Sequence, residues 1–489
     1  SGAFLIAANN TLGLELARAR SGSLFPPKDV IRHARRDVLT HCIHGVDLNP
    51  MAVELCKVSL WINAAVEDAP LNFLDHHIQC GNSLVGAAPD LVRAGIPNEA
   101  YNAVTGDDKA LASSLKRRNR QELKGQESLK FRVTLIKDQK ALQEWLRASQ
   151  MAESQPSEAE KAFSAYQTSQ ENWDKRLPYD LWTAAFFTPI QPDQLIPTTS
   201  DVRQALRNPD QVPEGLRNLA MGMAKKHRFF HWHLAFPEVF DAQVQGGFDV
   251  ILCNPPWDLV NLVEKEFFTG KNEDIVNARN GSKRKKIIFD LQKTDPALWT
   301  EYVSVLRDFE CLSKFVNESN LYPLTSKGRT NTYSIFAGLV NKLVRKHGRV
   351  GIIVPSGIAT DYYSQVFFGS LIKNSQLVSL FDFENRKKLF PDVGSIIKFC
   401  LLTFNGKGWE SEKMTFAFFL HLPNELEDEE RIFELSEDEF SLLNPNTLTC
   451  PVFKNRSSVD LTLKIYKAAP VLLNENLNKN PWGLDFKQG

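Results

Sequence analysis

Four residues constrain this chain more than any others: Asn254-Pro255-Pro256-Trp257, which directly follow the run Phe248-Asp249-Val250-Ile251-Leu252-Cys253. The run predicts a buried strand. Two prolines can neither prolong a strand nor sit inside a helix, so the chain must leave the sheet at Asn254 in a stiff, extended turn. One carboxamide and one proline carbonyl then stand at the carboxyl edge of a strand, with an aromatic ring just beyond. Asn-Pro by itself is a common turn starter. The full string also suits gripping a planar amino group by two acceptors while the ring stacks on its heterocycle. An exocyclic amine conjugated to a purine is a poor nucleophile, because its lone pair is delocalised. Accepting both of its protons, on the Asn254 side-chain oxygen and the Pro255 carbonyl, would push the nitrogen toward tetrahedral geometry.

Three further segments are nucleotide-like. Ser1-Gly2-Ala3-Phe4-Leu5-Ile6 is a tight Gly turn feeding an apolar helical pattern. His44-Gly45-Val46-Asp47-Leu48-Asn49-Pro50 predicts a short strand ending at an acid, with an amphipathic helix starting just after Pro50. An acid there either caps that helix or holds ribose hydroxyls, as in nucleotide-binding sheets. Its distance from Gly2 is more than double the usual spacing of about 20 residues, so residues 20–40 are expected to form an inserted loop. Ile78-Gln79-Cys80-Gly81-Asn82-Ser83-Leu84 supplies a third strand and turn.

With 489 residues, 43% hydrophobic and 24% charged, the chain can bury a large core and more than one domain. Net charge is zero, so nucleic acid would have to meet local basic patches. Candidates are Lys116-Arg117-Arg118-Asn119-Arg120, Lys225-Lys226-His227-Arg228 and Lys283-Arg284-Lys285-Lys286, each equally readable as a solvated helix face. The seven cysteines lack paired spacing and mostly lie in apolar runs, which suits reduced core residues in the cytoplasm. No signal peptide, membrane span, metal-ligand pattern or internal repeat is expected.

Residues 1–95 carry β-α elements of cofactor-binding type. Residues 96–230 turn polar and helical, with Leu129 to Leu146 and Ala152 to Asn172 as examples. Sheet sequence resumes at His231 to Phe240 and runs into the Asn254 strand, so 231–409 is the expected catalytic half. Thr330 to Phe336 opens a helix expected to end near His347-Gly348, followed by strands over Arg349 to Pro355, Val378 to Glu384 and Ile396 to Phe404. Residues 410–489, acidic at Glu425 to Arg431 and closing on Asn480 to Gly489, read as the start of a C-terminal, target-recognising region.

The string Gly247 to Trp257 resembles the catalytic motif of S-adenosylmethionine-dependent amino-methyltransferases acting on adenine N6. The order of parts is similar to the gamma class of adenine-N6 DNA methyltransferases. Phe230-His231-Trp232 through Phe240, Leu321 to Thr325, Phe383-Glu384-Asn385-Arg386 through Leu389-Phe390-Pro391, and Asn444 to Thr447 look like the large bacterial enzymes of type IIG restriction–modification and of the BREX and DISARM phage-defence systems. The fold implied is α/β, a Rossmann-like methyltransferase sheet with a helical insertion and a C-terminal extension. The resemblance implies Asn254, Pro255, Pro256 and Trp257 as catalytic residues. Ser1, Gly2, Ala3 and Phe4 would line the methionine end of the cofactor, Asp47 and Leu48 its ribose, and Asn82 and Ser83 its adenine. Ser1-Gly2 looks like the second half of an Asp-Pro-Ala-Cys-Gly-Ser-Gly-Ala-Phe-Leu loop, so the first strand and first acid are expected to be missing. Double-stranded DNA and other defence-system subunits are the implied partners. Two other classes share features: a methyltransferase of release-factor glutamine amides, which also carries Asn-Pro-Pro-aromatic, and a scaffold that kept the fold but lost the cofactor.

Overall fold

The computed structural model describes residues 2–67, 69–125, 140–150, 155–240, 246–326, 330–409, 411–475, 480 and 482–483. The chain divides into two compact units, Ser1–Asp241 with Asn261–Leu321, and Ala242–Val260 with Tyr322–Gly489.

The first unit holds a two-stranded parallel sheet, β1 (Gly45–Asp47) and β2 (Ile78–Cys80), paired Gly45 to Ile78 and Asp47 to Cys80. Helices Ala3–Ser21, Lys28–His41 and Pro50–Asn63 lie on it, around a core of Val38, Leu39, Ile43, Val53, Leu60, Leu74 and Ile78. The expected loop over 20–40 is therefore mostly helix. Pro26-Pro27 ends before Lys28, and Ala34, Val38 and Leu39 recur at helical spacing on a buried face. The polar block carries helices Lys109–Lys124, Lys140–Gln150, Pro156–Gln167, Gln170–Ala184, Thr199–Arg207 and Glu214–His227. Parts of the Leu129 to Leu146 and Ala152 to Asn172 runs lie outside the described residues. Trp182 is buried in this block and donates to the Gly95 carbonyl at 2.9 Å, while its ring meets Phe186 and Phe315. Phe315 comes from the long helix Pro296–Glu318, which belongs to this unit.

Sheet sequence does not resume at His231. Residues Trp232–Ala235 and Pro237–Phe240 are single helical turns. Pro237 lacks the donor a ladder needs and favours the first position of a helix.

The second unit contains a six-stranded mixed sheet in the order β3-β4-β6-β5-β7-β8. Its strands are β3 (Phe248–Cys253), β4 (Val344–Pro355), β5 (Leu377–Glu384), β6 (Lys398–Asn405), β7 (Met414–Leu420) and β8 (Phe433–Leu435). β3 runs parallel to β4, and β5 to β7; β6 is antiparallel to both β4 and β5. Helix Gln365–Lys373 makes the crossover from β4 to β5, and β6 then slots between them. Val350, Ile352, Val354, Phe367, Phe368, Leu380, Leu402, Phe404 and Phe416 form the core.

Two expectations change here. β3 is a strand but buried on one face only: Ile251 and Cys253 pack against the core, while Val250 and Leu252, which point to the other face, are 59% and 43% exposed. Helix Thr332–Leu343 ends earlier than His347, and β4 begins at Val344. A register shift near Phe248 absorbs the extra residues, and it requires glycines. A Cβ at Gly348 would stand 2.7 Å from the Phe248 carbonyl oxygen, and Gly247 has φ +140°.

Candidate active site

The nucleotide-like residues lie in the first unit. Gly2 sits in the left-handed region, φ 77° and ψ 9°, as N-cap of helix Ala3–Ser21. A Cβ there would come 2.7 Å from the Cys56 sulfur. Ala3 and Phe4 are exposed in the first turn, and Ser1 lies outside the described residues. Asp47 closes β1 with an exposed side chain, and its Oδ1 accepts from the Asn49 N–H at 2.8 Å. Helix Pro50–Asn63 is capped by Asn49, whose side chain accepts from Met51 N–H at 2.9 Å. Asp47 is thus not the cap; it shapes the turn and keeps a carboxylate oxygen toward solvent. Burial pushes the Cys56 thiol up, and the Asp47 carboxylate adds to the effect. Gly2 therefore packs directly against this buried sulfur.

Asn82 is brought to the same side by strand pairing. Gly81 N–H donates to the Asp47 carbonyl at 3.0 Å, and the Asn82 side-chain oxygen accepts from Leu84 N–H at 3.2 Å. The Ser83 carbonyl accepts from the Trp232 indole at 3.0 Å. Leu48 is 53% exposed, and its carbonyl accepts from Arg228. Arg228 is a residue that charge reasoning alone placed only in a basic patch. It has φ 53°, and its own carbonyl accepts from Asn82 N–H at 2.8 Å. The next residues wall this end of the sheet. Phe230 N–H donates to the Val85 carbonyl at 2.8 Å, and a Cβ on Gly86 would strike the Phe230 carbonyl. His231 accepts at Nδ1 from Ala87 N–H at 3.0 Å, which leaves Nε2 to donate to Asp180 at 2.8 Å. Burial holds this imidazole below its usual range, against the pull of Asp180.

The Asn254–Trp257 loop lies in the second unit. Asn254 is exposed and Pro255 buried. Neither the Asn254 carboxamide nor the Pro255 carbonyl has a partner among the described residues. The loop is fixed from behind by Thr332, whose hydroxyl reaches the carbonyls of Pro256 at 2.7 Å and Asp258 at 2.9 Å. Leu259 and Asn331 form an isolated bridge beside it. Trp257 is half-buried, edge-on to Phe390 at 6.0 Å and stacked on Phe399 at 6.2 Å. Its indole nitrogen is buried without a partner among the described residues. Phe390 is placed by Asn385, whose amide donates to the carbonyls of Phe390 at 2.8 Å and Val393 at 2.9 Å and whose oxygen accepts from Phe390 N–H at 3.0 Å. Nothing in the motif itself points to Thr332 or Phe390; the spacing Phe383 to Pro391 was the available signal for the second.

Burial pushes the Cys253 thiol up to about 12, so it is protonated at neutral pH and unfit as a nucleophile. Beyond Leu259 the chain opens on a cavity of about 340 Å³ lined by Leu259, Asn331, Tyr333, Asp361 and Tyr363.

The basic patches differ. Lys226 pairs with Asp308 at 2.8 Å and Arg118 with Glu122 at 2.8 Å. Lys283, Lys285 and Lys286 are exposed and unpaired among the described residues, in the first turns of helix Gly281–Thr294.

No helix among the described residues is long and apolar enough to cross a membrane. No curated protein matches the chain. Solved structures similar to it include a type I restriction–modification complex (14% identity, 53% of this chain and 49% of that one, TM-score 0.25). The type IIG restriction endonuclease BpuSI is another (12%, 89% and 42%, TM-score 0.24). A third is a modification subunit of a putative type I restriction enzyme from Vibrio vulnificus YJ016 (11%, 89% and 93%, TM-score 0.23). The chain spans less than half the length of the first two. The sequence profile of the Eco57I restriction-modification methylase family matches residues 41–289, just over half of the chain. That stretch includes Asp47, Asn82 and Asn254–Trp257, and the chain belongs to the Eco57I restriction-modification methylase family.

Proposed function

We propose that this chain carries the methyl-transferring part of a DNA methyltransferase that modifies adenine N6 with S-adenosylmethionine. The observation that supports it best is the pair of unengaged acceptors at Asn254 and Pro255, followed by an aromatic ring, within a family of restriction–modification methylases. A Rossmann-like role for the strands follows from that reading. So does the division into a cofactor half over 1–95, a helical insertion over 96–230, a catalytic half over 231–409 and a recognition region from 410.

The cofactor residues fit their part. Gly2 leaves no room for a side chain, Asp47 keeps a free carboxylate oxygen for ribose hydroxyls, and the Asn82 amide can donate to a ring nitrogen. S-adenosylmethionine supplies the methyl group as a methylsulfonium. The target adenine has to leave the duplex, because N6 is out of reach within the stack. Asn254 and Pro255 accept its two N–H groups and orient the lone pair. Trp257 stacks on the base while Phe390 and Phe399 hold the indole in place. A protonated Cys253 argues against a covalent thiolate route.

DNA phosphates are the expected partners of Lys283, Lys285 and Lys286. Cations in the first turns of a helix oppose its dipole, so their placement is better explained by an anionic ligand than by helix stability. A restriction–modification or phage-defence role with further subunits, in the cytoplasm where the DNA lies, completes the reading. The test is transfer of labelled methyl from S-adenosylmethionine by the full-length protein. Label on N6-methyladenine in DNA is the expected outcome; label on a release-factor glutamine, or on nothing, overturns it.

A further inference from the structure

Two histidines that each immediately precede one of two neighbouring strands meet a distant glutamate in the first unit. The pairing of Gly45 with Ile78 sets His44 and His77 side by side at the amino ends of β1 and β2, and Gly45 N–H donates to the His77 carbonyl at 2.9 Å. Their ring centroids are 3.9 Å apart. Glu238, in the helical turn Pro237–Phe240, reaches in so that its Oε1 lies 3.2 Å from His44 Nε2. One donor atom from each of the three lies within 4.8 Å of the other two. We propose that His44, His77 and Glu238 form a site for one divalent transition-metal ion of the zinc type, which clamps the 231–240 segment onto the β1–β2 sheet.

The donor set suits the ion. Two imidazoles and one carboxylate with an open fourth position make a usual zinc environment and favour zinc, cobalt or nickel over magnesium or calcium. Tetrahedral zinc with bonds of about 2.0–2.1 Å keeps its donors about 3.3 Å apart. The His44–Glu238 edge already has that length, and the others must close by at most about 1.5 Å, within reach of side-chain rotation. His44 Nδ1 faces the Cys42 carbonyl at 3.4 Å, the outer hydrogen bond that typically orients a ligating histidine. His77 is 5% exposed, and its Nδ1 is buried without a hydrogen-bond partner among the described residues. A His44–Glu238 hydrogen bond beside two tilted rings explains the 3.2 Å contact and leaves that nitrogen unanswered.

The position defines the role. Asp47 and Cys80 end the same two strands at their carboxyl side, so the metal would sit at the opposite end from the nucleotide-like residues. It is a structural clamp. The segment it holds also supplies Ala235, whose carbonyl accepts from Gln79 at 2.9 Å, so the clamp reinforces a contact already present.

The test uses the full chain, stripped with chelator and titrated with zinc and with cobalt. One zinc per chain by elemental analysis, a tetrahedral cobalt absorption spectrum and a melting temperature raised by zinc are expected. Glu238→Gln, which keeps size and hydrogen bonding, should bind at least about 100-fold more weakly and lose the zinc-dependent rise in melting. Far-UV circular dichroism establishes that the variant is folded; Glu238→Asp, which shortens the reach, serves if it is not, with the same loss expected. Zinc well below one per chain at saturation, or unchanged zinc affinity in a folded Glu238 variant, overturns the proposal.

Discussion

At the end of β1 the Asp47–Asn49 turn is held from far along the chain, by Arg228 across 180 residues, and its side chains stand in solvent. At the end of β3 the Asn254–Asp258 loop is held by two prolines, by the Thr332 hydroxyl and by an aromatic cluster. The first region is polar and offers groups to a ligand without enclosing it. The second is apolar behind and polar only at its tip, so its geometry is set before any substrate arrives. A site that binds a flexible nucleotide can leave some ordering to the ligand. One that must align a lone pair benefits from rigidity, since a small misplacement costs much of the rate.

The largest effect should come from the rigid tip. Asn254→Ala is expected to lower methyl transfer to DNA by roughly 100-fold or more, as loss of one preorganised hydrogen-bond partner does elsewhere. Cofactor affinity should stay within a few-fold. Near-normal turnover in a radiolabel assay would remove Asn254 from the chemistry.

Trp257 separates rigidity from stacking. Trp257→Ala should weaken DNA binding and turnover together, by about 1–3 kcal/mol for the lost stack, and also lower the melting temperature because Phe390 and Phe399 lose their neighbour. Trp257→Phe should recover most activity. If 2-aminopurine fluorescence shows normal flipping in the Ala variant, the ring serves only as packing.

Asp47→Ala probes the soft region. Calorimetry should show cofactor affinity reduced by about 1–3 kcal/mol with little change in melting, because Asp47 is exposed and Asn49 still caps the helix. A large drop in melting with unchanged affinity would reverse the comparison.

The smallest effect is electrostatic. Lys398 at 3.1 Å holds the Glu384 carboxyl below the usual range, with Arg386 contributing. A carboxylate with a depressed native pKa stabilises above its unfolded value, about 4.3, and that stability is lost as pH falls through the native one. Glu384→Gln should therefore melt below wild type at neutral pH, with the gap closing as the medium becomes acid. A gap that is constant from pH 7 to 3 would contradict the ion-pair origin.

How much was legible in the sequence varies with the range of the interaction. Local chemistry was readable: Pro50 starts a helix, Asn254-Pro255-Pro256 ends a strand, and the strands at 45–47, 78–80, 377–384 and 398–405 stand close to where hydrophobic runs placed them. Failures arose where neighbours decide. Val250 and Leu252 look like core residues, yet only the Ile251 and Cys253 face of β3 packs against the core. His231 to Phe240 has strand-like composition, but Pro237 turns it helical and His231 is used by Asp180 and Ala87.

By itself, then, the sequence determined which residues carry acceptor, acid and ring chemistry, since those depend on residue type and on steric rules spanning two or three positions. Only tertiary structure decided that Arg228 closes the Leu48 turn, that Phe390 braces Trp257, and that His44, His77 and Glu238 share a corner. Each of those contacts joins residues brought together by strand pairing or long loops, and no local periodicity encodes a partner that far away.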